Sequence, residues 1–180
     1  MQIFAIKSGN WSDASIWCYQ TVPNPEDIVY SSGKTITIDT DVVCSLITTD
    51  SPIEGQFTGG EFILEDNITF VGDIAAKSNT CLKFSGTNST IVGNISGGDG
   101  GYMSGVENLG TGTLNVVGEV RGGNGGYSYG VQNLSTGTIN LSGASLLGLG
   151  GYSWGIFNSQ NGKVFINGQD VSQEGGILNG

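Results

Sequence analysis

Carboxylates and two columns of aromatic rings are the side chains through which this sequence could do chemistry. There is no His among the 180 residues. The commonest general base and metal ligand are therefore missing, and neither a Ser-His-Asp nor a Cys-His arrangement can be assembled. Cleavage of a polysaccharide needs only a pair of carboxyl groups, about 5–9.5 Å apart in glycosidases. From residue 100 to 165 the acids are Glu107 and Glu119, placed for different faces of whatever element holds them. Asp39, Asp41, Asp50, Glu54, Glu61, Glu65, Asp66 and Asp73 are denser, but they fall at predicted strand ends and turns, where solvated acids are ordinary. The expectation is no catalytic residue, no metal and no cofactor.

The aromatic columns are Tyr102, Tyr127 and Tyr152, and beside them Tyr129 and Trp154 in a column that Ser104 starts. Together they would suit stacking on sugar rings. The favoured reading is that these rings pack inside a coil corner or against a neighbouring subunit.

What positions them is a repeat. GGYMSGVENLGTGTLNVVG begins at Gly100, GGYSYGVQNLSTGTINLSG at Gly125 and GGYSWGIFNSQNGKVFING at Gly150, a period of 25 residues without insertion. Asn108, Asn133 and Asn158 are equivalent, as are Gly105, Gly130 and Gly155, and Gly118, Gly143 and Gly168. Leu114 and Val116 alternate, as do Ile139 and Leu141, and Val164 and Ile166; period two means strand. Clusters such as Gly122-Gly123-Asn124-Gly125-Gly126 mark turns. Such short strands cannot bury an apolar side alone, but stacked copies can, each strand pairing with its equivalent at about 4.8 Å. The fold class is all-β, a right-handed parallel β-helix with regular coils of 25 residues from about residue 97 and a β cap at the N-terminus. Stacking places amide above amide at the recurrent Asn. It asks Gly105, Gly130 and Gly155 for positive φ or close backbone approach. Propeller blades are longer than this period, and the glycine-aspartate repeat of a calcium β-roll is lacking. Earlier pieces, at 62–64, 68–74 and 91–95, begin a stack of four to five coils.

Only six of the 32 glycines precede residue 85, so glycine belongs to the repeat and not to the whole chain. The formal charge of −10 repels phosphate backbones and excludes nucleic acid as a partner. No run approaches the roughly 18 apolar residues of a membrane span, so no insertion is expected. Lys7 follows the first apolar stretch instead of preceding it, unlike a secretory signal, so synthesis in a cytoplasm is expected. Cys18, Cys44 and Cys81 are odd in number and widely spaced, which suits buried free thiols.

Residues 1–50 differ from the rest of the chain, which gives a division into an N-terminal cap or attachment module, 1–50, and the β-helix, 51–180. Strands are predicted at 27–30, 35–39 and 42–48 after a loop anchored by Trp11 and Trp17. Gly9, Trp11, Asp13 and Trp17, then Val22, Pro23, Asp27 and Val29, then Gly33, Ile36, Ile38 and Asp39, form three motifs. This segment resembles the opening of the eight-glycine module and its relatives, which cap β-helices in bacterial surface proteins, phage tail fibres and other virion proteins. The resemblance implies a phage virion structural protein, made in the host cytoplasm and used for attachment and host-surface recognition. A polysaccharide-degrading β-helix enzyme and a bacterial cell-surface adhesin are the alternatives. It also implies a homotrimer or contact with other virion proteins, and a host surface glycan as ligand. Trp11 and Trp17 would anchor the N-terminal end, on the first coil or on an adjacent virion protein. The last residues, EGGILNG, carry no charged capping element, so an open sheet edge is expected there.

Overall fold

The computed structural model describes residues 1–52, 59–159 and 161–177. The chain winds into a parallel β-solenoid. Seven strands stack in register along one face: Gly9–Asn10, Thr35–Ile38, Glu61–Leu64, Leu82–Phe84, Ser104–Asn108, Tyr129–Asn133 and Trp154–Asn158. Six parallel pairings join them, giving about six turns instead of the four to five expected. We call this the loop-side face. The rest of each coil forms a second sheet, bent at a corner. Asn88–Val92, Thr113–Val117, Thr138–Ser142 and Lys163–Ile166 lie on one side of that corner. Ile95–Ser96, Val120–Arg121 and Ser145–Leu146 lie on the other. Two longer strands, Val42–Thr48 and Thr69–Ala75, run through both sides, with a bulge between Val43 and Leu46.

The turns that the sequence reading missed lie in residues 1–50. Gln2–Phe4 pairs parallel with Ile28–Tyr30, and that strand with Val42–Thr48, so the opening segment shares both sheets with the repeats. The miss has a physical cause. From Val29 to its partner Ile47 is 18 residues, from Ile47 to Ile74 is 27, and from Ile74 to Ile95 is 21. From Ile95 to Val120 and from Val120 to Ser145 it is 25 each time. Strand register is fixed by the buried row, while loop length costs little. The early coils therefore stack correctly without a period.

The core is a continuous column. Leu114, Val116, Ile139, Leu141, Val164 and Ile166 are all buried, as the alternation predicts. Phe62, Phe70 and Phe84 fill the wider early coils. On the loop-side face, continuing the register column of Phe84, runs an inner amide ladder. Asn108 Nδ2 donates to Asn133 Oδ1 at 3.0 Å, and Asn133 Nδ2 donates to Asn158 Oδ1 at 2.9 Å. Asn133 and Asn158 also donate to the carbonyls of Gly137 and Gly162, each at 3.0 Å, tying down the next turn. A second ladder, Asn88–Asn115–Asn140, runs along the outer surface.

Glycine is required at the corner of the second sheet. Gly72, Gly93, Gly118 and Gly143 have φ of 152°, 156°, 149° and 157°. A Cβ on Gly118 would meet the Gly93 carbonyl oxygen at 2.2 Å. At Gly105, Gly130 and Gly155 the second of the two stated needs applies. Their φ is not positive, but a Cβ on Gly105 would meet Ile95 Cγ2 at 2.5 Å and the Gly130 carbonyl at 2.8 Å.

The expectation of an open C-terminal edge is corrected. Gln169–Asp170 turns back antiparallel onto Lys163–Ile166, and Gly175–Ile177 lies antiparallel on Trp154–Asn158, with Ile177 buried. Two very short reversed strands thus cover the last parallel strand of the loop-side face and that of one side of the second sheet, a common way of blunting an edge. At the other end, segment 16–18 does the same: Ile6 N donates to Ile16 O and Cys18 N to Phe4 O.

Loss of a buried amide leaves its partners unsatisfied, at about 1–3 kcal/mol per group. Asn133→Ala should therefore cost about 3 kcal/mol, seen as a lower urea midpoint. Asn115→Ala, on the half-exposed outer ladder, should cost about 1 kcal/mol or less. Equal costs would show that the inner ladder is not under the buried constraint described.

Candidate functional site

The five candidate aromatic residues separate into two groups. Ser104, Tyr129 and Trp154 stand in register on the loop-side face, as do Glu107, Gln132 and Phe157. Tyr129 is buried, its ring centroid 5.0 Å from that of Phe157, and burial raises its hydroxyl pKa. Trp154 is half-buried and its ring lies against Gly176, where a Cβ would meet Trp154 Cδ2 at 1.9 Å. Both rings are thus committed to packing, Trp154 on the reversed C-terminal strand.

Tyr102, Tyr127 and Tyr152 behave differently: of the two packings expected for these rings, the one inside a coil corner is corrected. They project from three successive glycine loops and stack on one another, with centroids 4.8 and 5.0 Å apart and planes 7° and 4° from parallel. The exposures are 76%, 37% and 59%. The middle ring is the least exposed because both its faces are covered. A ladder of this kind offers edges along its length and a free face only at its ends. The loops that carry it are themselves stacked: Ser128 Oγ donates to Gly100 O at 2.5 Å, and Ser153 Oγ donates to Gly125 O.

The ladder stops at Tyr102 because the previous coil has no aromatic residue in its loop, residues 76–81. A depression of about 200 Å³ opens at this point. It is lined by Tyr102, Gly101 and Met103 above and by Asn79, Thr80, Lys83, Glu61 and Glu107 below and beside. Lys83 and Glu107 are register neighbours on adjacent strands. The Lys83 ammonium meets Glu61 at 2.7 Å, and the Thr80 hydroxyl donates to Glu107 Oε1 at 2.7 Å. The hydrogen bond to Glu61 raises the Lys83 pKa against partial burial, with help from the charges of Glu61 and Glu107. Two carboxylates, an ammonium, a hydroxyl and an amide thus surround one polar hollow. Sequence reasoning missed this group, because coils of unequal length hide that Glu61, Lys83 and Glu107 share a wall. Glu119 lies at the corner of the second sheet, so Glu107 and Glu119 are on different faces as expected.

The dense early acids have structural work. Asp39 accepts from Ser12 N at 3.0 Å and from Ser12 Oγ at 2.6 Å. Asp41 accepts from Thr69 N, Asp66 from Thr87 N, and Asp73 from Asn94 N, each across one coil step. At Asp39 partial burial would raise the pKa, but its hydrogen bonds together, those from Ser12 foremost, hold the carboxyl below its ordinary range. Its stabilisation is therefore present above the ordinary carboxyl pKa and is lost as pH falls through the lowered one. Glu54 lies outside the described residues.

Trp11 and Trp17 are buried, with centroids 5.1 Å apart in an edge-to-face pair, and Trp17 Nε1 donates to Trp11 O at 3.0 Å. Of the two anchoring roles expected, the structure has them packed on the chain's own first coils, near Phe62. Among the described residues no group of three or more His, Cys, Asp or Glu is placed to hold a metal ion. Comparison of the chain with family models, with curated proteins and with solved structures gives no match.

Cys44 and Cys81 are buried free thiols. Burial pushes the Cys44 thiol up to about 12 from an ordinary 9.0 and raises that of Cys81 as well. The stabilisation from keeping these thiols neutral is whole below the unfolded value and is lost as pH rises through the folded one. Iodoacetamide at about pH 8.5 should leave both unmodified in the folded chain and alkylate both in urea, because the thiolate is the nucleophile. Peptide mapping checks this; labelling of Cys44 or Cys81 in the native chain would contradict their placement.

Proposed function

We propose that the chain is a structural component of a phage virion, part of a tail fibre, tailspike or capsid fibre, acting in attachment and recognition of a host surface. The observation that carries the reading is how the side chains are divided. Of the N-terminal motifs that resemble virion and surface β-helix caps, Trp11, Trp17, Val29, Ile36 and Ile38 are buried in the packing of the first coils. Eight of the thirteen exposed large apolar side chains among the described residues lie on the glycine-rich coils, Tyr102, Tyr127, Tyr152, Leu147 and Leu149 among them. From residue 100 to 160 the only charges are Glu107, Glu119 and Arg121. Such a flank favours contact over solvation. A rigid solenoid holding it suits presentation to a partner, in a homotrimer or beside other virion proteins. The virion is the location this reading gives, with the bacterial cell surface as the other setting for the same contacts. Among the described residues no helix is long and apolar enough to cross a membrane.

A second reading, a polysaccharide-degrading enzyme, is favoured by one observation: Glu61 and Glu107 line the same hollow. Paired carboxyl groups are the minimum for glycoside cleavage. Against it, Glu61 is bonded to Lys83 and Glu107 to Thr80.

Light scattering at micromolar concentration should give a trimer or a larger assembly, and a stable monodisperse monomer of 18.6 kDa would count against the assembly claim. Proteomic analysis of purified particles from the host culture should contain the chain. Incubation with host surface polysaccharide should leave polymer size unchanged. Shortening that Glu107→Gln abolishes would favour the enzyme instead.

A further inference from the structure

The tyrosine ladder and the hollow beneath it belong together. Tyr102 is covered on one face by Tyr127, at 4.8 Å and 7° from parallel. Among the described residues no ring covers its other face, and Tyr102, 76% exposed, lines the hollow together with Asn79, Thr80, Lys83, Glu61 and Glu107. A flat apolar platform with a ring of hydrogen-bonding groups at its edge is complementary to a pyranose. The ring's axial C–H bonds present an apolar face, and its hydroxyls lie around the perimeter. A carboxylate offers about four acceptor sites, so Glu107 can accept from sugar hydroxyls beside its bond from Thr80. Lys83 and the Asn79 amide supply donors. We infer that this notch at the end of the ladder is a binding subsite for one neutral pyranose unit of a surface polysaccharide.

The inference rests on the surface-recognition reading and narrows it to one place and one chemical class. Size supports a single unit: the hollow, at about 200 Å³, is smaller than the roughly 300–1,000 Å³ of sites that enclose drug-sized ligands. Charge supports a neutral one. Two carboxylates face one ammonium, and the whole chain carries −10, so a uronic or other acidic sugar meets net repulsion. The ladder has a mechanical part in this. Tyr102 is held flat by the Tyr127 ring directly behind it. The platform is therefore ordered before the sugar arrives, which lowers the entropic cost of binding.

The test is NMR titration of the full chain with the methyl pyranosides of glucose, galactose, mannose and N-acetylglucosamine, with methyl glucuronide as the acidic comparator. At least one neutral pyranoside should shift the Tyr102 ring and Thr80 methyl resonances, and the glucuronide should bind more weakly. Tyr102→Ala should weaken that binding by about tenfold or more, and Thr80→Val should weaken it with the ladder intact. Tyr152→Ala, at the far end, should leave the affinity within about twofold. The inference is overturned if no neutral pyranoside moves these resonances, if the glucuronide binds as tightly, or if Tyr152→Ala is as damaging as Tyr102→Ala. Particle proteomics reads the parent proposal separately. A chain that binds sugar at the notch but is absent from particles sinks the virion reading alone. A particle protein without sugar binding sinks the notch alone.

Discussion

Parallel backbone pairing between one coil and the next is the interaction on which everything else in this molecule depends. The loop-side strands pair at every step, Val106 with Val131 and Val131 with Ile156, so each side chain meets its own counterpart. Once that register holds, like stacks on like in every column. Valine on valine makes the core, amide on amide makes the inner ladder, and ring on ring makes the outer one. None of these contacts has a meaning within a single coil. The solenoid is in this sense one-dimensional: each coil is stabilised by its neighbours.

The register in turn needs a tight corner. The glycines at 72, 93, 118 and 143 let each coil's backbone rest on the carbonyl of the one before. Any side chain there would push successive coils apart. The buried Asn column adds selectivity. Its amides and the neighbouring carbonyls satisfy one another, and a slip of one residue would place a polar group in the core with no partner. At each end short antiparallel segments lie on outermost strands: segment 16–18 on the first, and the two reversed C-terminal strands on Trp154–Asn158 and Lys163–Ile166.

How much of this the sequence reveals depends on where identity coincides with register. From residue 97 onward, loop length is constant, so the stacked columns can be seen as repeated letters. The strands at 35–38 and 42–48 were legible too, the first from its alternation and the turn before it, the second from its apolar run. Their place in the stack was not, because coil steps of 18, 27 and 21 residues erase the period. The same cause hid the hollow. Its aromatic wall, Tyr102, stands in a visible column, but Glu61 and Lys83 come from irregular coils and are brought to Glu107 by pairing alone. Exposure of the tyrosine column was also illegible. Alternation assigns strand residues to a face, but these tyrosines lie in glycine loops, where no period says which way a ring points.

These constraints give the chain a stiff, patterned flank, on which the proposed recognition depends: its aromatic ladder is only as ordered as the register behind it. The measurement closest to that claim is through-hydrogen-bond scalar coupling by NMR on the labelled chain. The account predicts couplings from Leu134 N to the Asn108 carbonyl, from Ser159 N to that of Asn133, and from Lys163 N to that of Gly137, each linking successive coils. Couplings from these amides to carbonyls within their own repeat, as in antiparallel hairpins, would contradict it.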